Sequence, residues 1–278
     1  MTATAAPGYA FAEAADLSEA QMRALSEAFD PFTTERLAGT GLAPGWRCLE
    51  IGAGGGTVAN WLAPRVLPGG EVLATDVDTR RIRPVAGVRV LRHDIVHDPL
   101  PEGEFDLIHA RLVLQHLPER LAVLDRLLGA LRPGGWLQLD EFDVSYGPVL
   151  LAPSADAAEL YEEYLAAKAR ALEVSGARAV WGRECAADLL AAGYDRIDPQ
   201  PQVALWRSGH PGLALQLSHF DMLRERLLAQ GLTDEQLERL RALLRDPQFA
   251  ICSPVLYSVQ ARRPGQPAAR NGAAACDC

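Results

Sequence analysis

Glu50-Ile-Gly52-Ala53-Gly54-Gly-Gly56 is the stretch of this chain with the most specific chemical content. Glycines after a buried strand let a ligand come up against bare backbone, and the helix that starts next offers N–H groups with no intrahelical partner. A dinucleotide fingerprint, G-x-G-x-x-G, would need its third glycine at position 57, which is Thr57. A phosphate-binding P-loop needs a Lys after its last glycine, and none follows Gly56. The pattern E-x-G-x-G-x-G is complete. Its Glu50 either contacts a ligand or only braces the loop.

The surrounding elements must place this loop at the edge of a sheet. Trp46–Ile51, Glu71–Thr75, Val88–Leu91, Phe105–His109 and Trp136–Asp140 read as short buried strands. Helices are expected between them at 57–64, ended near Pro64, and at 118–131, with Leu121, Leu124, Leu128 and Leu131 as its inner stripe. Five strands with helical crossovers imply a parallel sheet covered on both faces, whose ligand site lies at the carboxyl ends of the strands. Before this core, a helix over 16–30 is expected to stop at Pro31, with a second over 33–40 capped by Thr33. After it come a long helix from Ser154 to Val174, a helix over 182–192 closed by Gly193, and a strand over 195–205. A helix over 212–229, one from Thr233 opened by a capping box with Gln236, and a last strand over 253–262 complete the chain.

With these motifs in order, the sequence resembles class I S-adenosylmethionine (SAM)-dependent methyltransferases, in the small-molecule branch related to ubiquinone/menaquinone-biosynthesis enzymes. The resemblance covers about residues 46–142. It implies an α/β, Rossmann-like fold: a seven-stranded, mostly parallel sheet with helices on both faces, N-terminal helices and helical cap insertions. It also implies SAM as cofactor and S-adenosylhomocysteine as product. Gly52, Ala53, Gly54 and Gly56, with Glu50, would form the cofactor loop. Asp76, followed by Val77, would accept hydrogen bonds from both ribose hydroxyls, since one carboxylate can receive two donors. Asp94 would meet the adenine amine, with Ile95 against the ring; Asp98 in the same loop is its competitor. Arg111 to Leu117, Arg111 and Gln115 included, would line the methionine end.

Methyl transfer asks the protein chiefly to align acceptor and donor and to exclude water, with a general base where the nucleophile carries a proton. His116, just past the fourth strand, is the leading base because histidine titrates near neutrality. Its competing reading is a packing residue. Asp143 and Tyr146, past the fifth strand, are the alternatives, and His210 and His219 lie in the cap. A catechol-type Mg²⁺ site is not expected, because Ala110-Arg111 stands where its first acid would be.

The 278 residues carry a net charge of −9, with scattered basic groups, which argues against a nucleic-acid substrate. No apolar run is long enough for a membrane span, and the N-terminus lacks a basic, apolar leader pattern, so a cytoplasmic enzyme acting on a small molecule is expected. Five cysteines are present, without zinc-ligand spacing, and Cys276 and Cys278 read as part of a plain tail. The expected organisation is a lid (1–44), a SAM-binding core (45–144), a helical substrate cap (145–193), a C-terminal sheet part (194–262) with a helical insertion (206–250), and a tail (263–278). Tyr9 and Phe11 are candidate lid contacts. Oligomeric state is open, a homodimer included. A non-methylating SAM enzyme, such as a cyclase, and a non-catalytic SAM-binding protein are the alternative functions.

Overall fold

The computed structural model describes residues 19–265; Tyr9, Phe11, Cys276 and Cys278 lie outside them. The chain opens with α1 (Glu19–Ala38), which enters β1 (Arg47–Ile51), α2 (Thr57–Val66), β2 (Glu71–Asp76), β3 (Val88–Arg92) and β4 (Phe105–Arg111). A 3-10 turn (Leu114–His116) leads to α3 (Arg120–Ala130) and the long β5 (Leu131–Asp143). Then follow β6 (Val149–Leu151), α4 (Ala155–Val174), α5 (Trp181–Ala191), β7 (Asp195–Gln202) and β8 (Leu205–Arg207). The helices α6 (Pro211–Met222), α7 (Arg224–Ala229) and α8 (Asp234–Leu243) precede β9 (Ala250–Cys252) and β10 (Val255–Arg262).

Seven strands form one sheet in the order β3-β2-β1-β4-β5-β10-β7. The first five are mutually parallel and β10 is antiparallel to both neighbours. The order reverses between β1 and β4. That places a crevice beyond the carboxyl ends of β1, β2 and β4, where such sheets take ligands. The architecture is Rossmann-like, as the resemblance implied. β6, β9 and β8 add a small antiparallel sheet beside the cap, an element not visible in the sequence pattern.

Several boundaries differ from expectation for identifiable reasons. Pro31 does not end α1, which runs through it as one helix. An interior proline costs about 3 kcal/mol, but this turn is held from outside. Asp30 pairs with Arg111 at 2.7 Å, Thr33 bonds Asp140 at 2.6 Å, and Phe29 and Leu37 are buried. Thr33 is therefore an anchor inside the helix and not a cap. Pro64 likewise sits inside α2. The sheet-facing stripe of α3 is Val123, Leu124, Leu127 and Ala130, while Leu121 is exposed. The 212–229 segment breaks at Leu223 into α6 and α7, and the 195–205 segment divides between the two sheets. The capping box of Thr233 and Gln236 is present in both directions.

Among the described residues no helix is long and apolar enough to cross a membrane.

Candidate active site

The loop after β1 turns on glycines in left-handed conformation, with φ 64° at Gly52 and 55° at Gly54. A Cβ on Gly52 would stand 2.4 Å from a methyl of Val113, so only glycine lets this loop lie against the segment that follows β4. Gly56, which begins α2, abuts Ile82 and does not line the cleft. At the tip of β2, Asp76 accepts the N–H of Gly54 (2.9 Å) on one oxygen and that of Asp78 (3.0 Å) on the other. These bonds fix the carboxylate beside the loop. Each oxygen keeps a lone pair for a further donor.

The loop forms one wall of a cleft of about 690 Å³. Glu50, Gly52, Ala53, Gly54, Asp76, Val77, Asp94, Ile95, Arg111, Gln115 and His116 all line it, so the strand ends bring these sequence candidates together. Of the two acids after β3, Asp94 lines the cleft, whereas Asp98 accepts the backbone N–H of Asp94 at 2.9 Å and does not. Arg111 faces the cleft but spends its terminal nitrogens on α1, donating to Thr33 Oγ1 (3.0 Å) and Asp30 (2.7 Å). Gln115 is buried, accepts the N–H of Phe142 at 3.1 Å, and stands 3.1 Å from the ring of His116.

Two of the three catalytic candidates are elsewhere. Successive residues of β5 point to opposite faces; Phe142 and Val144 line the cleft, and Asp143 points away. Asp143 binds Ser145 and pairs with Arg183 at 3.1 Å. Tyr146 is 41% exposed and outside the cleft. Once an assay is in hand, Asp143→Asn and Tyr146→Phe are expected to change kcat/KM only slightly, far short of the roughly 10²–10⁴-fold that removal of a general base costs. His116 does line the cleft, but its titration differs from expectation. Burial, reinforced by neighbouring Lys168, pushes its pKa down to about 3, so it stays neutral across physiological pH. His210 caps α6 by accepting the N–H of Gly212 at 3.0 Å.

Beneath the glycine loop runs a buried polar chain. His109 on β4 touches Glu50 at 2.7 Å through Nδ1 and Asp140 at 3.2 Å through Nε2. Burial opposes a charge there, but the two carboxylates outweigh it and raise the imidazole pKa to about 9. Asp140 in turn accepts from Thr33, which accepts from Arg111. Glu50 is thereby a brace for the loop as well as part of the cleft wall. The chain joins β1, β4, β5 and α1 through side chains.

A methyltransferase-domain family model matches residues 19–170, more than half of the chain. This chain belongs to that methyltransferase family. Methyltransferase Str3 of Strobilurus tenacellus is 37% identical over 114 residues, 40% of this chain and 41% of that one. The ubiquinone/menaquinone biosynthesis C-methyltransferase UbiE of Cupriavidus necator is 30% identical over 122 residues, 41% of this chain and 50% of that one. The match thus spans half or less of each relative's length. Among solved structures, phosphoethanolamine N-methyltransferase 2 of Haemonchus contortus superposes with a TM-score of 0.55 at 16% identity, covering 91% of this chain and 60% of that one.

Within this member of the family, the sequence pattern missed Met22 of α1 and Lys168 of α4, whereas His219 of α6, one of the two cap histidines it singled out, does line the cleft. Met22 of α1 sits against the glycine loop, its sulfur 3.7 Å from where a Gly55 Cβ would be. Lys168 of α4 is buried, lines the cleft and reaches His219 Nδ1 of α6 at 3.0 Å. Burial pushes its pKa down to about 8. Composition held a signal for it, because Lys168 is the only lysine in a chain otherwise rich in arginine. A compact amine changes its ionisation on burial far more readily than a guanidinium.

Proposed function

We propose that this chain is a SAM-dependent methyltransferase that moves a methyl group to an O, N or C nucleophile of a small, natural-product-like acceptor. The observation that carries this reading is Asp76, held by the Gly54 N–H with lone pairs to spare at the mouth of a cleft floored by positive-φ glycines. The residues present fit the cofactor. Gly52 leaves the room that a Cβ would fill, Asp76 suits a pair of vicinal hydroxyls, and Asp94 with Ile95 suits an amino-bearing flat ring. When bound, SAM supplies a methyl group already activated on a sulfonium.

The chain's own work is then to bind, orient and exclude water. Gln115 and the neutral His116 offer hydrogen-bonding groups to the acceptor side without changing charge. Phe142, Trp206 and Leu215 supply apolar wall. α1, tied to Asp140 and Arg111, covers the glycine loop as a lid.

Calorimetric titration tests the donor site: micromolar binding of SAM and none of NADH is expected, and absence of SAM binding overturns the reading. Acceptor screening by mass spectrometry should then find products heavier by one CH₂, with one S-adenosylhomocysteine released per turnover. Turnover that leaves SAM unchanged would assign the chain to non-methylating chemistry such as cyclisation.

A further inference from the structure

Lys168 stands in an unusual position for a cation. It is 5% exposed, among apolar walls that include Leu172 and Met222, and it faces the interior of the cleft. Among the described residues no carboxylate forms an ion pair with it. Its hydrogen-bond partner is the ring nitrogen of His219, whose own pKa burial and the neighbouring lysine hold well below the ordinary value. The imidazole is therefore neutral and accepts one of three ammonium N–H bonds. Among the described residues, the neutral His116 from the turn after β4 and the ring of Tyr164, 6.0 Å away on α4, also face the amine. A buried ammonium without a counter-anion is costly, and a ligand bearing one would remove that cost.

Resting on the methyltransferase reading, we propose that the acceptor is an acidic oxygen compound on an apolar body, a phenol, enol or carboxylic acid, bound with its oxyanion against Lys168. The ammonium holds the oxygen ionised and leaves it a lone pair for attack. The acceptor's proton leaves beforehand, to the neutral fraction of the amine or to solvent. The oxygen's electron pair forms the new O–C bond as the S–C pair withdraws to sulfur. The resulting ether or ester carries no charge, so it loses its hold on Lys168 and leaves.

The test uses the full chain saturated with S-adenosylhomocysteine, so that no turnover occurs, and two matched pairs of probes: 4-nitrophenolate with 4-nitroanisole, and cinnamate with cinnamamide. Each anion is expected to bind at least about tenfold more tightly than its neutral partner, the scale of one charge-assisted hydrogen bond. With ¹⁵N-lysine labelling the protein has one side-chain amine signal, because it has one lysine. Its titration midpoint should move upward when an anion binds and stay in place with the neutral probe. Lys168→Met should abolish the preference while retaining wild-type affinity for S-adenosylhomocysteine. Equal affinities, no measurable binding of either anion, an unmoved lysine titration, or a preference that survives in Lys168→Met overturns the proposal. Failure of the wild type to bind S-adenosylhomocysteine overturns instead the donor-site reading beneath it.

Discussion

His109→Leu is expected to destabilise the protein by about 3–5 kcal/mol, the usual cost of removing one member of a buried ionic cluster. The imidazole lies wholly buried between Glu50 and Asp140, and leucine would leave those two carboxylates in the core with no cation between them. The pH dependence gives the effect a signature. The folded pKa of His109 is raised from the ordinary 6.5 to about 9. Its contribution, worth about 3 kcal/mol, is therefore full below pH 6.5 and fades as pH rises through 9. Asp140 has its pKa lowered, so its contribution is present above the ordinary carboxylate range and is lost as pH falls through the folded value. In the leucine variant the stranded carboxylates gain from protonation. The gap between wild type and variant should therefore be widest near neutrality and narrow on both sides. Urea unfolding at pH 5, 7 and 9.5 measures this, and a gap below about 1 kcal/mol at pH 7 would mean that the imidazole carries no charge there.

Asp76→Ala is expected to weaken SAM binding by about 100-fold, or ~2.7 kcal/mol. Alanine removes the acceptors offered to two hydroxyls and releases the Gly54 and Asp78 N–H groups that now orient the loop mouth. Asp76→Asn keeps the shape and one carbonyl oxygen, and about a tenfold loss is expected, since a neutral acceptor forms the weaker bond. Calorimetry reads both. Thermal unfolding without ligand should shift little, because Asp76 lies at a strand tip beside open cleft and braces only local backbone. Unchanged SAM affinity in the alanine variant would remove the carboxylate from the donor site.

The reach of sequence reasoning follows the distance over which each feature is encoded. The glycine loop, the strand-helix alternation from β1 to β5, and the Thr233–Gln236 cap are all written within a few residues. Turn stereochemistry, hydrophobic period and capping geometry are local physics. Asp76 and Asp94 could be assigned to one crevice because parallel strands end on the same edge. The miss at Asp143 was one residue of strand parity: whether 142 or 143 faces the cleft depends on register against β4 and β10, including the bulge at Arg132–Gly135 that resets it. Pro31 looked like a helix stop because local propensity disfavours it, and contacts with Arg111 and Asp140, about eighty and about a hundred residues away, override that preference.

By itself, then, the order of residues determined that there is a sheet-edge site, which loop forms it and that Asp76 stands at its rim, while the choice of Asp94 over Asp98 waited on the structure. Only the tertiary structure decided that a single lysine and a histidine 51 positions apart would meet inside the cleft, and that His109 would lie between two acids from neighbouring strands. Contacts of that kind depend on how each helix is rotated and each strand registered, which is settled by the packing of the whole chain at once and leaves no short-range spacing to read.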